Sequence, residues 1–128
     1  MNEEIADKWL KQALHDLKIA ERNIEIEGYD VSAFLAQQAV EKLLKAIFVL
    51  ESKRIPKIHY IDELAHKLNV SDEVMNHVFE LTADYVLSRY PDVSNVPYKQ
   101  YNKKIAEEKV AVFELLKDRY RGRKYHDK

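Results

Sequence analysis

Apolar residues return every three to four positions along four long stretches of the chain, and this spacing predicts four long helices. They are expected at about residues 4–27, 31–50, 71–89 and 102–120, with a short helix at about 60–68. Pro56 separates the second helix from the short one, because proline has no backbone donor. The expected fold class is all-α: an antiparallel up-and-down bundle of four long helices plus one short helix.

Helix ends are marked by residues that can satisfy unpaired backbone groups. Gly28 is expected to end the first helix in a left-handed conformation. Asp30 or Ser32 is expected to cap the second helix, and Ser71 the third long one.

The second helix divides into a wide apolar arc and a narrow polar stripe. On a helical wheel the apolar arc covers roughly 220°. It contains Ala33, Leu35, Ala36, Ala39, Val40, Leu43, Leu44, Ala46, Ile47 and Leu50. A helix apolar over that width needs several neighbours, so we expect it to be the hub of the bundle.

The polar stripe of the second helix is the first candidate site. It contains Gln37, Gln38, Glu41, Lys42 and Lys45, together with Phe34 and Phe48. Aromatic rings beside polar groups suggest a buried contact, so we expect Phe34, Gln38, Glu41 and Phe48 to form a dimer interface. A ligand site that includes Gln37 and Lys45 is the second interpretation. Packing within the bundle, with a Glu41–Lys45 pair one helical turn apart, is the third.

Asp16 lies at the edge of the apolar face of the first helix, near Trp9 on the wheel. Because a half-buried carboxylate normally needs a partner, pairing with a cation across the bundle is favoured over a ligand contact.

Composition narrows the classes of function. The chain has 128 residues, no cysteine, a formal net charge of −1 and no apolar stretch of 18 residues. We therefore expect one cytoplasmic domain over residues 1–120, no membrane span and a basic tail over 121–128. The Glu63-Leu-Ala-His66 element occurs once, whereas di-iron bundles need two copies, so no metal and no cofactor are expected.

Several stretches resemble the HEPN domain family. The second helix is similar in Ala-Gln37-Gln38-Ala-Val-Glu41-Lys42, the first in Ala-Leu-His-Asp16-Leu, and the short one in His-Tyr-Ile-Asp-Glu-Leu over residues 59–64. Arg-Tyr-Pro-Asp at 89–92, followed by Pro-Tyr at 97–98 and Tyr101, resembles the loop before the last helix.

The resemblance implies a helical, usually dimeric protein that often accompanies a minimal nucleotidyltransferase. Some HEPN proteins are proposed to bind nucleotides. Others are metal-independent ribonucleases with arginine and histidine four to six residues apart. Here the histidine that would follow Arg89 is replaced by Ser94, Asn95 and Val96. Other spacing matches, Arg54 with His59 and Arg119 or Arg121 with His126, lie elsewhere in the chain.

The loop before the last helix is the second candidate site. Arg89 can hold a phosphate and the tyrosines around it, including Tyr90 and Tyr101, can stack a base. The favoured alternative is that these tyrosines pack the loop onto the bundle. The residues expected to meet a nucleotide or partner are Asp16, Gln37, Gln38, Glu41, Lys45, Arg89, Tyr90 and Asp92.

The sequence thus predicts a non-catalytic HEPN module that binds a nucleotide or protein and serves a minimal nucleotidyltransferase, with a pair of the toxin–antitoxin type as one setting. A metal-independent ribonuclease toxin acting on RNA and a purely structural dimerisation module are the alternatives.

Overall fold

The computed structural model describes residues 2–52, 61–87 and 100–126, with side chains for 2–51, 61–82 and 100–122. The helices are α1 (Asn2–Glu25), α2 (Tyr29–Ser52), α3 (Ile61–Lys67), α4 (Asp72–Leu87) and α5 (Lys103–His126). Over these ranges there is no strand, and the predicted all-α bundle is confirmed. None of the described helices has the length and apolar character needed to cross a membrane.

The end of α5 differs from the prediction. The helix continues to His126, six residues beyond the expected end at Tyr120. Basic residues occupy these last turns, where cations stabilise the negative end of the helix dipole. The first six residues of the predicted basic tail, 121–126, are therefore helical.

The turn between α1 and α2 corrects the predicted caps. Glu27, with φ of 63°, takes the left-handed conformation that was expected of Gly28. The Glu27 N–H donates to the Ile24 carbonyl at 3.1 Å, and the Gly28 N–H donates to the Asn23 carbonyl at 2.7 Å. This is the Schellman pattern, with glycine one position later than expected. A Cβ on Gly28 would lie 2.9 Å from Asn23 Oδ1 and 3.4 Å from the Asn23 carbonyl oxygen, so any larger residue here would require the Asn23 side chain to shift.

The start of α2 follows from this turn. Asp30 and Ser32 both lie inside the helix, so neither is the predicted cap, and the Ser32 N–H donates to the Gly28 carbonyl at 2.8 Å. The cap at Ser71 is confirmed, because its Oγ accepts from the Val74 N–H at 3.3 Å.

α2 is the hub of the bundle, as predicted. All four other helices pack against it, and no side chain from Ser32 to Glu51 is exposed. Most of the predicted apolar arc has no solvent-accessible surface: Ala33, Ala36, Ala39, Val40, Leu43, Leu44, Ala46 and Ile47.

Small residues recur at buried positions of α1 and α2, which share the most extensive contact among the described helices. Each helix has three small, fully buried residues that are spaced seven positions apart: Ala6, Ala13 and Ala20 in α1, and Ser32, Ala39 and Ala46 in α2. Because a seven-residue step returns to nearly the same face, each series forms one narrow seam. Short side chains at a helix contact allow the two axes to approach closely.

Arg119 joins three elements of the bundle. Its Nε and Nη2 donate to the two carboxylate oxygens of Glu51 at 2.8 and 2.7 Å, and Nη2 also donates to the Leu68 carbonyl. The contacts tie α5 to the end of α2 and to the residue after α3. Next to it, the buried Tyr120 hydroxyl donates to Asp7 of α1.

The left-handed Glu27 generates a stability prediction. Glu27→Gly is expected to raise the free energy of unfolding by about 0.5–1 kcal/mol, because glycine carries no Cβ penalty there. The matched control, Glu25→Gly, lies in the last turn of α1 and should lower it by a similar amount. Urea denaturation measures both, and a loss of stability in Glu27→Gly would contradict the assignment.

Candidate functional site

The close contact of α1 and α2 brings two charged pairs together along one edge. In the first, Lys42 Nζ donates to Asp16 Oδ2, and Gln12 Nε2 donates to Asp16 Oδ1 at 3.0 Å. Asp16 is only 7% exposed. The expected cation across the bundle is therefore Lys42, and the predicted pairing of Asp16 is confirmed.

The second pair lies one turn further along α2. Lys45 Nζ donates to Glu41 Oε2 at 3.2 Å and lies 4.9 Å from the centroid of the Trp9 ring. The indole face attracts the ammonium group, which adds to the ion pair. Lys45 is 4% exposed, so Trp9 and Glu41 hold it inside the protein rather than on the surface where the sequence placed it.

The rest of the predicted stripe is partly covered. Gln37 is buried at 3% exposure and accepts a hydrogen bond from Gln38 Nε2 at 2.8 Å. Phe34, Gln38, Glu41 and Phe48 are all half-buried, and Phe48 packs against the core. The interpretation as packing within the bundle thus accounts for Gln37 and Lys45. The half-buried residues keep some accessible surface.

A shallow depression of about 310 Å³ adjoins the charged pairs on the α1 side. It is lined by Ile5, Lys8, Trp9 and Gln12. Trp9 and Gln12 also contact Lys45 and Asp16, so the depression and the pairs form one site. Sequence reasoning did not assign Trp9 or Gln12 to a site. The signal was present, because residues 9, 12 and 16 follow three-to-four spacing and Trp9 is the one tryptophan in the sequence.

A second depression, of about 360 Å³, lies between α3 and α4. Its lining includes Glu63 and His66 of the element weighed as a metal motif, together with Met75 and Phe79. Among the described side chains, no group of three or more histidines and carboxylates could hold a metal ion.

Arg89, Tyr90 and Asp92 of the second candidate site lie outside the described residues. So do Arg54, His59 and the side chain of His126, which belong to the other arginine–histidine spacing matches. Tyr101 is buried, in agreement with the packing interpretation of that residue. Arg119 already binds Glu51 and the Leu68 carbonyl.

The fold and this edge define a class of small helical bundle with paired charges on a buried central helix. The HEPN domain family model matches residues 6–122, and the chain belongs to the HEPN family.

Two solved structures support the assignment. TT1696 from Thermus thermophilus is 26% identical, with a TM-score of 0.83 over 96% of this chain and 99% of that chain. ST0689, an archaeal HEPN homologue, is 28% identical, with a TM-score of 0.77 over 91% of this chain and 95% of that one. Comparison with curated proteins found no match.

The buried Asp16–Lys42 pair generates a second stability prediction. Lys42→Met should lower the free energy of unfolding by about 2 kcal/mol, because it leaves the Asp16 carboxylate buried with one partner fewer. The double variant Asp16→Leu/Lys42→Met should recover most of this loss, since both charges are replaced by apolar groups.

The control pair is Glu80 with Lys109, 3.7 Å apart between α4 and α5, where the Glu80 side chain is 62% exposed. Glu80→Gln should cost no more than about 1 kcal/mol. Equal losses in Lys42→Met and Glu80→Gln, measured by urea denaturation, would contradict a buried pair.

Proposed function

We propose that this HEPN protein is a non-catalytic interaction and nucleotide-binding module. It dimerises through Phe34, Gln38, Glu41 and Phe48 of α2, and it serves as partner of a minimal nucleotidyltransferase, in a pair of the toxin–antitoxin type. The observation that carries the proposal is the half-buried state of these four residues on α2, the helix against which the other four pack.

The dimer interface is supported by the mixture of groups on this face. Two aromatic rings flank an amide and a carboxylate, which is the composition of an interface core with polar contacts around it. Glu41 is also held in place by Lys45, so its orientation is set before a partner arrives. A rigid face loses little conformational entropy when it associates.

The nucleotidyltransferase partnership rests on the HEPN family alone. Members of the family often occur beside such enzymes, and the motif residues of α2 are those that carry the resemblance. The toxin–antitoxin role is proposed on the same ground.

The non-catalytic character is supported by two features. Ser94, Asn95 and Val96 stand where the ribonuclease motif would place histidine after Arg89. Arg119, the basic residue of another spacing match, is already bound to Glu51 and to a backbone carbonyl. A general acid–base pair needs both groups available at the reacting atoms.

Phe34→Glu is expected to convert a dimer into a monomer, because it places a charge where the proposed interface buries an aromatic ring. The matched control is Phe79→Glu on α4, where the native ring is 54% exposed, and it should remain dimeric. Size-exclusion chromatography with light scattering measures both, and circular dichroism checks folding. The same chromatography, run on a mixture of this chain and a minimal nucleotidyltransferase, tests whether the two proteins associate. A monomeric wild type, or two variants with equal mass, would contradict the proposed interface.

The purified chain is expected to bind ATP and to leave single-stranded RNA intact in the presence of EDTA. Isothermal titration with ATP measures binding, and gel electrophoresis follows the RNA. Absence of binding heat at millimolar ATP would remove the nucleotide part of the proposal. RNA cleavage that is lost in His126→Ala would instead establish the ribonuclease alternative. A stable dimer with neither property would indicate a structural module.

A further inference from the structure

The charges on the α1–α2 edge neutralise one another. Lys42 is paired with Asp16, and Lys45 is paired with Glu41 and lies over the Trp9 ring. These two carboxylates and two ammonium groups sum to no net charge. Both ammonium groups are therefore already engaged before any ligand arrives.

This arrangement is a poor receptor for phosphate. A phosphate that bound Lys42 would have to displace Asp16. This carboxylate is buried, and within the described part of the chain its remaining partner would be the Gln12 amide. A phosphate that bound Lys45 would have to reach a residue that is only 4% exposed. Leaving a buried carboxylate without its cation is costly, so neither lysine offers a favourable phosphate contact.

The depression beside the pairs has a different character. Ile5 and Trp9 provide apolar and aromatic surface, and Gln12 provides an amide next to it. Its volume of about 310 Å³ lies at the lower end of small-molecule sites. An indole ring stacks with any nucleobase, and an amide can both donate to and accept from a base edge.

We propose that this depression holds the nucleobase of a nucleotide against Trp9, while its phosphates remain in solvent. The inference rests on the nucleotide binding proposed above and specifies which end of the ligand the protein recognises. Among the described residues that line the depression, Lys8 is the one cation, and it is exposed. Its contribution to binding a phosphate is therefore weakened by solvent and salt.

Base recognition makes affinity nearly independent of the number of phosphates. Adenosine, AMP and ATP should bind with dissociation constants within about threefold of one another. Raising NaCl from about 50 to about 500 mM should change them little, whereas phosphate-dominated binding weakens strongly over that range.

The experiment combines isothermal titration with the fluorescence of Trp9, the single tryptophan of the chain. Adenosine and ATP should both give binding heat and both change the fluorescence. Trp9→Leu should weaken adenosine binding about tenfold or more, and Trp9→Phe should restore part of it, since a smaller ring still stacks. Lys11→Leu, an exposed change on the same helix outside the lining, is the control and should bind as wild type. Urea denaturation checks that the variants are folded.

The outcomes separate this inference from the proposed function. Heat with ATP but none with adenosine, or ATP affinity that is lost at high salt, would retain nucleotide binding and overturn base recognition. Heat with no fluorescence change, and with equal affinity in Trp9→Leu, would place the nucleotide elsewhere. Absence of heat with either ligand would remove both.

Discussion

The close approach of α1 and α2 is the constraint on which the rest of the structure depends. α1 and α2 share the most extensive contact among the described helices, and each buries small residues at seven-residue spacing: Ala6, Ala13 and Ala20 on one helix, Ser32, Ala39 and Ala46 on the other. The Asp16–Lys42 contact shows the register of this antiparallel pair. Ala20 lies four residues after Asp16, and Ala39 lies three residues before Lys42. Because the two helices are antiparallel, these small residues lie at about the same height along the helix pair. A larger side chain at such a position would separate the axes.

The site is a consequence of that short separation. At its edge a short aspartate on α1 reaches a lysine on α2, and the Trp9 ring reaches over Lys45. The charges are satisfied within the protein, which lets Gln37 and Lys45 be buried beside an apolar hub. The groups that remain at the surface of this edge are largely aromatic rings and amides. This explains why a stripe that is rich in charge in the sequence offers little charge to a ligand.

Periodicity alone determined the helices, the all-α class and the central place of α2, because a helix with a wide apolar arc has few alternatives to burial. Motif residues on that helix, together with those of the first helix, the short helix and the loop before the last helix, indicated the HEPN family. The sequence also indicated that Asp16 needs a cation. It did not determine which cation, because Lys42 and Lys45 are both candidates until the register of α1 and α2 is known.

Tertiary structure decided the details that depend on neighbours. Glu27 rather than Gly28 took the left-handed conformation, because the N–H groups of Glu27 and Gly28 close the turn on the carbonyls of Ile24 and Asn23. Lys45 became buried and Trp9 became part of the site, because α1 covers one side of the α2 stripe. A wheel drawn for one helix shows which residues share a face. Only the packed pair of helices shows which of them stay in water.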